Sequence, residues 1–541
     1  MKNKKLIKIS AILLCIGIIF IIISWILSYP IHLTETRDLT FSQFFPSIWP
    51  GMILSSIALF SLGYSYKKKY IQALCSALFP IILYAYTFFF SYVPSSDCGN
   101  VRGMFYVFQK TGINSDVIPY FDFPNYFTYN EIIHQIVHID ENMIAALSII
   151  IYGILLGLFL YLFLDHQKNK FNKELKPFIL TITYFIGMYS FLNFQWVPQT
   201  LALVYFFILL FITSRLTEKF SHKYWEFILL FVFVAFFFTH AFLPVIFLLF
   251  FALIILKRRS FFSIFIILSS FFIVFTLYYL NIYLSIYIQT FQQSIAGFSQ
   301  EYISVASRSF GETMNLLSTI ISYANRIRIP LIWLLGFIGS LILLYKKKIH
   351  TFFISLGLSG GFYLAVGTLF SVLGLRATQI FFIPLSNGLT YFFTRWKKPM
   401  MLLFLVLLIL SVFGPMRIAY DTTQFHTYEE AEICNFLADT SNNRFMQVAL
   451  SQSNNGYFKT VYKYLKDNYP VSLRPGNSEF LTIYKENMTK NQYIISNTNL
   501  EKEIIIYSLT EQELNKTLIK IQTNNKIIDN GNTSILKGFQ E

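Results

Sequence analysis

The sequence predicts an all-α polytopic membrane protein of about thirteen transmembrane helices followed by a small α/β domain. Three observations predict it. The 541 residues are 55% hydrophobic and only 13% charged, with a mean hydropathy of +0.54, whereas soluble domains carry about 25% charge. The apolar residues are gathered in continuous runs of roughly 17–25, the length a helix needs to cross a hydrocarbon core of about 30 Å. From Asp421 onward the composition turns polar and charged. Backbone polar groups in lipid must be paired within the segment, which helices achieve. The runs do not alternate with period two, so they do not suit a membrane β-barrel.

The charge agrees. A formal net charge of +15 would suit nucleic acid if it were concentrated on one face, but it follows the expected topology instead. Inner stretches hold 23 of the 43 Lys and Arg and 4 of the 28 acids, short outer stretches 8 and 10, and the tail after the last span 12 and 14. This is the positive-inside bias, and no nucleic-acid partner is expected.

The first run, Leu6 to Leu27, follows Lys2, Lys4 and Lys5 and reads as a retained helix rather than a cleaved leader, because no small-residue cleavage site follows. Helix two covers about 49–66 and ends at Lys67, Lys68 and Lys69; helix three covers about 70–92 and enters a long outer loop, 93–142. Helix four, about 143–164, ends in Lys168, Lys170, Lys173 and Lys176, and helix five ends near Phe194. The outer turn Gln195–Gln199 opens helix six, which stops at Arg215, Lys219 and Lys223. Residues 227–256 exceed one span, and Pro244 disfavours continuous helix. They read as two short helices with an outer turn at His240, the second ending at Lys257, Arg258 and Arg259. Helix nine, about 260–284, precedes a second outer loop, 286–327; helices ten to thirteen end at Lys346–Lys348, near 370, near 393 and near 418. Every basic cluster then falls inside. The transmembrane domain is 1–420, with the N-terminus cytoplasmic. Residues 421–541 form the extracytoplasmic domain, with strand-like runs Phe445–Leu450 and Glu503–Tyr507 and a helical stretch Thr510–Lys520. Cys15 and Cys75 lie in spans as packing residues, whereas Cys98 and Cys434 both fall outside, where oxidation permits a disulfide.

Ionisable residues at the outer ends of membrane helices are costly and often functional. Asp97, after helix three, suits a general base on an acceptor hydroxyl, with a turn-forming Asp as its plainer reading; Glu35, Asp38, Asp116 and Asp122 are competing carboxylates, and Arg102 lies in the same loop. Glu131, His134 and His138 share one helix face at spacings of three and four. A divalent metal suits such a set, and a solvated amphipathic helix explains it equally. His240 sits in the outer turn, where it could touch a phosphate or simply be solvated. Arg376 enters helix twelve from the disfavoured outer side, where its guanidinium could bind phosphate or snorkel. Arg326 and Arg328 are weaker candidates of the same kind.

Four stretches together resemble the GT-C class of membrane glycosyltransferases, which includes the protein O-mannosyltransferases. They are the Asp97 loop continuing into Tyr120–Phe127, the segment Trp196-Val197-Pro198-Gln199, the pair Thr239-His240 with Pro244, and the outer Arg376; the tail stretch Asn525–Gly531 is also similar. The class usually carries its catalytic acid after helix one, and here Asp97 follows helix three. The resemblance implies a polyprenyl-phosphate sugar donor drawn from the membrane lipid and catalysis on the outer face. It implies Asp97 as base, Arg376, His240 and Gln199 toward the donor phosphate, and Asp122, Arg102 and Arg326 as loop or acceptor candidates. A transporter or flippase, a non-catalytic surface-glycan assembly protein, and a glycan polymerase or ligase remain the alternatives.

Overall fold

The computed structural model describes residues 2–29, 46–66, 68–89, 101–105, 108–109, 112–113, 123–139, 141–170, 176–187, 196–217, 223–240, 243–256, 259–279, 316–349, 351–369, 374–413 and five strands beyond them. The helices are α1 (Lys2–Ser28), α2 (Ile48–Ser65), α3 (Lys69–Tyr84, extended by a 3-10 turn Ala85–Phe89), α4 (Asn125–Val137), α5 (Glu141–Lys170), α6 (Pro177–Gly187) and α7 (Pro198–Leu216). They continue as α8 (Tyr224–Phe237), α9 (Leu243–Ile255), α10 (Phe262–Tyr279), α11 (Leu316–Tyr345), α12 (Thr351–Leu369), α13 (Gly374–Arg395) and α14 (Lys397–Val412).

Five of these helices are long and apolar enough to cross a membrane: Lys4–Ser28, Ile48–Ser65, Met143–Lys168, Pro198–Leu216 and Ile327–Tyr345. This is the make-up of a helical membrane protein. The expected count of thirteen spans is not met among the described residues, which hold six further, shorter apolar stretches of helix. The run 227–256 divides as expected into α8 and α9, with the turn at Thr239–His240 between them. Pro244 stands in the first turn of α9, where a missing N–H costs nothing. Within the stretch expected as the second outer loop, 286–327, the described residues from Leu316 are helical, and α11 runs on through Pro330. The stretch expected as the first outer loop contains α4.

Lipid drives helices together weakly, so close approach and shape decide the packing. Gly17 and Gly51 let α1 lie against α2: a Cβ on Gly51 would stand 2.9 Å from the Gly17 carbonyl oxygen. The indole of Trp25 donates to the Phe88 carbonyl at 3.0 Å, tying α1 to the end of α3. Between α1, α2 and α3 lies a cavity of about 400 Å³ lined by apolar side chains, among them Leu14, Ile18, Ile82 and Phe88. Cys75 is a packing residue, whereas Cys15 faces outward from α1. In α11 and α13 the backbones nearly touch, and a Cβ on Gly388 would run into the Gly336 carbonyl and Ser340. The centre of the bundle is aromatic, with Tyr152, Tyr184, Phe206 and Phe247 fully buried. One row of α13, Gln379, Ser386 and Thr390, is polar yet buried.

Past residue 413 the described residues are five strands in one mixed sheet of order β2-β1-β3-β5-β4. They are β1 (Gln447–Ala449), β2 (Val471–Leu473), β3 (Gln492–Asn497), β4 (Asn525–Asp529) and β5 (Thr533–Lys537). β1 pairs parallel with β2 and β3, and β5 pairs antiparallel with β3 and β4. The expected strand at Phe445–Leu450 contains β1, while Glu503–Tyr507 and Thr510–Lys520 lie outside the described residues.

Candidate functional site

The site is assembled where α4, α7 and the α8–α9 turn meet. Asn125 opens α4, and its backbone N–H donates to the Phe238 carbonyl at 3.2 Å. Its side-chain Nδ2 reaches three acceptors: Thr239 Oγ1 at 2.7 Å, the Ala235 carbonyl at 3.1 Å and Tyr205 Oη at 3.2 Å. Thr239 Oγ1 in turn donates to the Ala235 carbonyl at 2.7 Å. A single amide from the 93–142 stretch therefore closes the end of α8 against α7. Tyr129, one turn along α4, lies near Tyr205; burial and then that second phenol push its hydroxyl above the ordinary tyrosine range, so it stays protonated.

His240 follows this knot and is 5% exposed, so it is not a solvated turn residue. Its Nδ1 accepts from the Leu243 backbone N–H at 3.5 Å, which places the proton of the neutral ring on Nε2.

The start of α7 is held from the other side. Val197 is extended, with φ −142° and ψ 153°, as a residue before proline prefers, and Pro198 then opens the helix. Trp196 is 1% exposed, and its Nε1 donates to Asn130 Oδ1 at 3.0 Å. Asn130, fully buried on α4, also accepts from Ser148 Oγ at 3.2 Å and donates to the Tyr126 carbonyl at 2.8 Å. The Trp196 ring meets Phe105 edge-on at 5.6 Å and lies 6.1 Å from Tyr126, while Phe108 stacks on Phe127 at 5.7 Å. This aromatic packing fixes the helical residues 101–105 and 108–109, including half-buried Arg102, against α4 and α7.

Gln199 links the cluster to α13. Its Nε2 donates to Gln379 Oε1 at 3.0 Å, and both side chains are buried. Arg376 stands in the first turn of α13, three residues before Gln379. Arg326 lies on α11, and two residues later Arg328 is 3% exposed and within electrostatic reach of the Tyr84 hydroxyl.

The structure therefore brings together Asn125 from the 120–127 stretch, Trp196 and Gln199, Thr239 and His240, and the helix turn that carries Arg376. Asp97, Asp122, Glu35, Asp38, Asp116, Cys98 and Cys434 lie outside the described residues. The metal face fails as a ligand set. Glu131 receives Gln109 Nε2 at 3.1 Å on one oxygen and Gln135 Nε2 at 2.8 Å on the other, and His134 Nδ1 lies 2.8 Å from the Ile139 carbonyl. His138 caps α4 in the left-handed conformation, φ 53°, and so leaves the helical face. No group of three potential metal ligands occurs among the described residues.

Sequence reasoning overlooked Asn125, Asn130, Tyr205 and Gln379. The available signal was an amide or phenol placed within or beside strongly apolar helices, where polar groups are buried only with partners. No family model matches the chain, and no curated protein matches it.

Proposed function

We propose that the chain is a membrane glycosyltransferase that takes a sugar from a polyprenyl-phosphate donor and passes it to an acceptor on the outer face. In this reading further spans complete a GT-C-like domain of about thirteen helices, expected from the sequence, and the tail is an extracytoplasmic α/β domain. Asp97 accepts the proton of the acceptor hydroxyl as its oxygen attacks the anomeric carbon. The bond from that carbon to the phosphate oxygen breaks, and its electron pair leaves with the polyprenyl phosphate. Arg376 balances the charge of that leaving group, and His240 donates its Nε2–H to a phosphate oxygen. Gln199 positions the first turn of α13 through Gln379, and Asp122, Arg102 and Arg326 face the acceptor.

One observation supports the reading most. The stretches that resemble the GT-C class are far apart in sequence, yet Asn125 of the first bonds Thr239 of the third directly, and Trp196 and Gln199 bond Asn130 and Gln379, each three residues beyond the named Phe127 and Arg376. Such convergence is what a shared site requires. The break between α8 and α9 at buried Thr239 also suits a transporter, whose binding sites use interrupted helices, and gives a second reading.

The test is release of label from a panel of radiolabelled polyprenyl-phosphate sugars by membranes carrying wild type or Asp97→Asn. Release by wild type alone is expected. Equal release by both removes Asp97 from the role of base, and uptake of a donor without release favours transport.

A further inference from the structure

The cavity beside α1 has no part in the transferase reading. α1 packs along α2, where Gly17 and Gly51 let the backbones approach, and touches the turn Ala85–Phe89. Next to these contacts lies the space of about 400 Å³. Its walls run from Leu14 to Trp25 on α1 and from Leu78 to Phe89 on α3 and its turn. Every lining side chain is hydrocarbon apart from the Trp25 indole, whose N–H is taken by the Phe88 carbonyl at 3.0 Å.

The dimensions are those of one lipid tail. The eleven residues from Leu14 to Trp25 rise about 16 Å, half of a hydrocarbon core of about 30 Å. A volume of about 400 Å³ spread over that length leaves a cross-section of about 25 Å², room for a single hydrocarbon chain and not for two. The cavity also has a deep side and a mouth. Leu59, Ile82, Ala85 and Phe89 are buried, whereas Ile18, Ile22 and Trp25 are exposed. The mouth continues into the outward face of α1, where Ile12, Ile19, Ile23 and Ile26 are exposed as well. α1 is long and apolar enough to cross a membrane, and little of it is buried, so the solvent at this mouth is hydrocarbon. Water does not fill such a space: apolar cavities of about 150 Å³ already stay dry and take up apolar guests. Left empty, the lining atoms forfeit their dispersion contacts.

We propose that the cavity holds one acyl tail of a membrane phospholipid, seated between α1 and α3 as part of the folded structure. The tail supplies the packing that α1 lacks on its α3 side. The proposed sugar donor also carries a hydrocarbon chain, but its candidate site is built on α4, α7, α9 and α13, whereas α1 packs on α2 and the 85–89 turn. The phospholipid is therefore the occupant.

The test places the full chain in nanodiscs of phosphatidylcholine with a diazirine along one acyl tail, irradiates them and maps the labelled residues by mass spectrometry. Label on Leu59, Ile82, Ala85 and Phe89, which lipid at the protein surface does not reach, is the expected result. Label confined to outward residues such as Ile19 and Ile23 overturns the proposal. Ala85→Phe fills the cavity and should lower the label on Leu59 and Ile82 roughly fivefold or more, while label on Ile19 and Ile23 stays as in the wild type. Leu78→Phe takes its place if Ala85→Phe does not fold, and the wild-type pattern decides if neither folds. Undiminished label on Leu59 and Ile82 in a filled variant overturns the proposal. Unlabelled polyprenyl phosphate, added equimolar to the photolipid, separates the two sources of hydrocarbon. Unchanged label on the deep residues supports the phospholipid, and its loss overturns that assignment in favour of the polyprenyl chain.

Discussion

Replacing Asn130 by Ala should destabilise the protein by about 2–4 kcal/mol, because the fully buried amide serves three partners at once. Its Oδ1 accepts from the Trp196 indole at 3.0 Å and from Ser148 at 3.2 Å. Without it the indole N–H, on a residue 1% exposed, is left without an acceptor, at about 1–3 kcal/mol. The Ser148 hydroxyl can turn back to a helix carbonyl and loses less. The truncated side chain adds about 1 kcal/mol for the void it leaves. Trp196→Phe removes the donor instead and should cost about 1–2 kcal/mol. Since both variants break the same bond, the double variant should fall short of the sum by about 1–2 kcal/mol. Denaturant unfolding in detergent, followed by tryptophan fluorescence with the six Trp of the chain reduced by one where needed, measures all four corners of this cycle. Additivity within about 0.5 kcal/mol would show that the bond does not carry the anchoring of α4 on α7.

Other consequences separate the site from its scaffold. Asn125→Leu should cost only about 1 kcal/mol in stability, since Thr239 keeps its bond to Ala235, yet lower transfer at least tenfold by releasing the 238–240 turn; a midpoint and a kcat measured on one preparation check this. Gly388→Val should prevent close packing of α11 and α13, costing about 1–3 kcal/mol or more, visible as loss of a monodisperse peak or of the unfolding midpoint. In detergent Lys176→Gln should raise stability at neutral pH, because burial, then Lys397 and Lys168, hold the Lys176 ammonium below the ordinary lysine range and the fold disfavours that charged form. The wild-type deficit should shrink as pH rises from the folded toward the ordinary lysine value, where the unfolded chain binds more protons; a difference curve independent of pH would contradict this.

The sequence revealed the elements that depend on local physics. The run Leu6–Leu27 is a helix, since nothing in it can pair backbone groups in lipid any other way, and the α8–α9 break falls at Thr239–His240 as expected, with Pro244 tolerated in the first turn of α9. Pro80 and Pro330 lie inside α3 and α11 without ending either helix. Thirteen spans are not met among the described residues, where five helices are long and apolar enough to cross a membrane. The candidate site was legible as four stretches but not as a set of contacts. Whether Asn130 or Tyr205 is buried with partners depends on tertiary neighbours, and the metal face depended on His138 remaining helical, which its left-handed cap conformation prevents.

The most direct test of the account is photo-crosslinking of the purified chain with a polyprenyl-phosphate sugar bearing a diazirine near its phosphate, followed by peptide mapping. Label within Tyr120–Asn130, Trp196–Gln199, Thr239–Leu243 and Gly374–Ile380, competed by unlabelled donor, is the predicted result. Label confined to other peptides, or labelling that unlabelled donor does not compete, would contradict a shared donor site at these stretches.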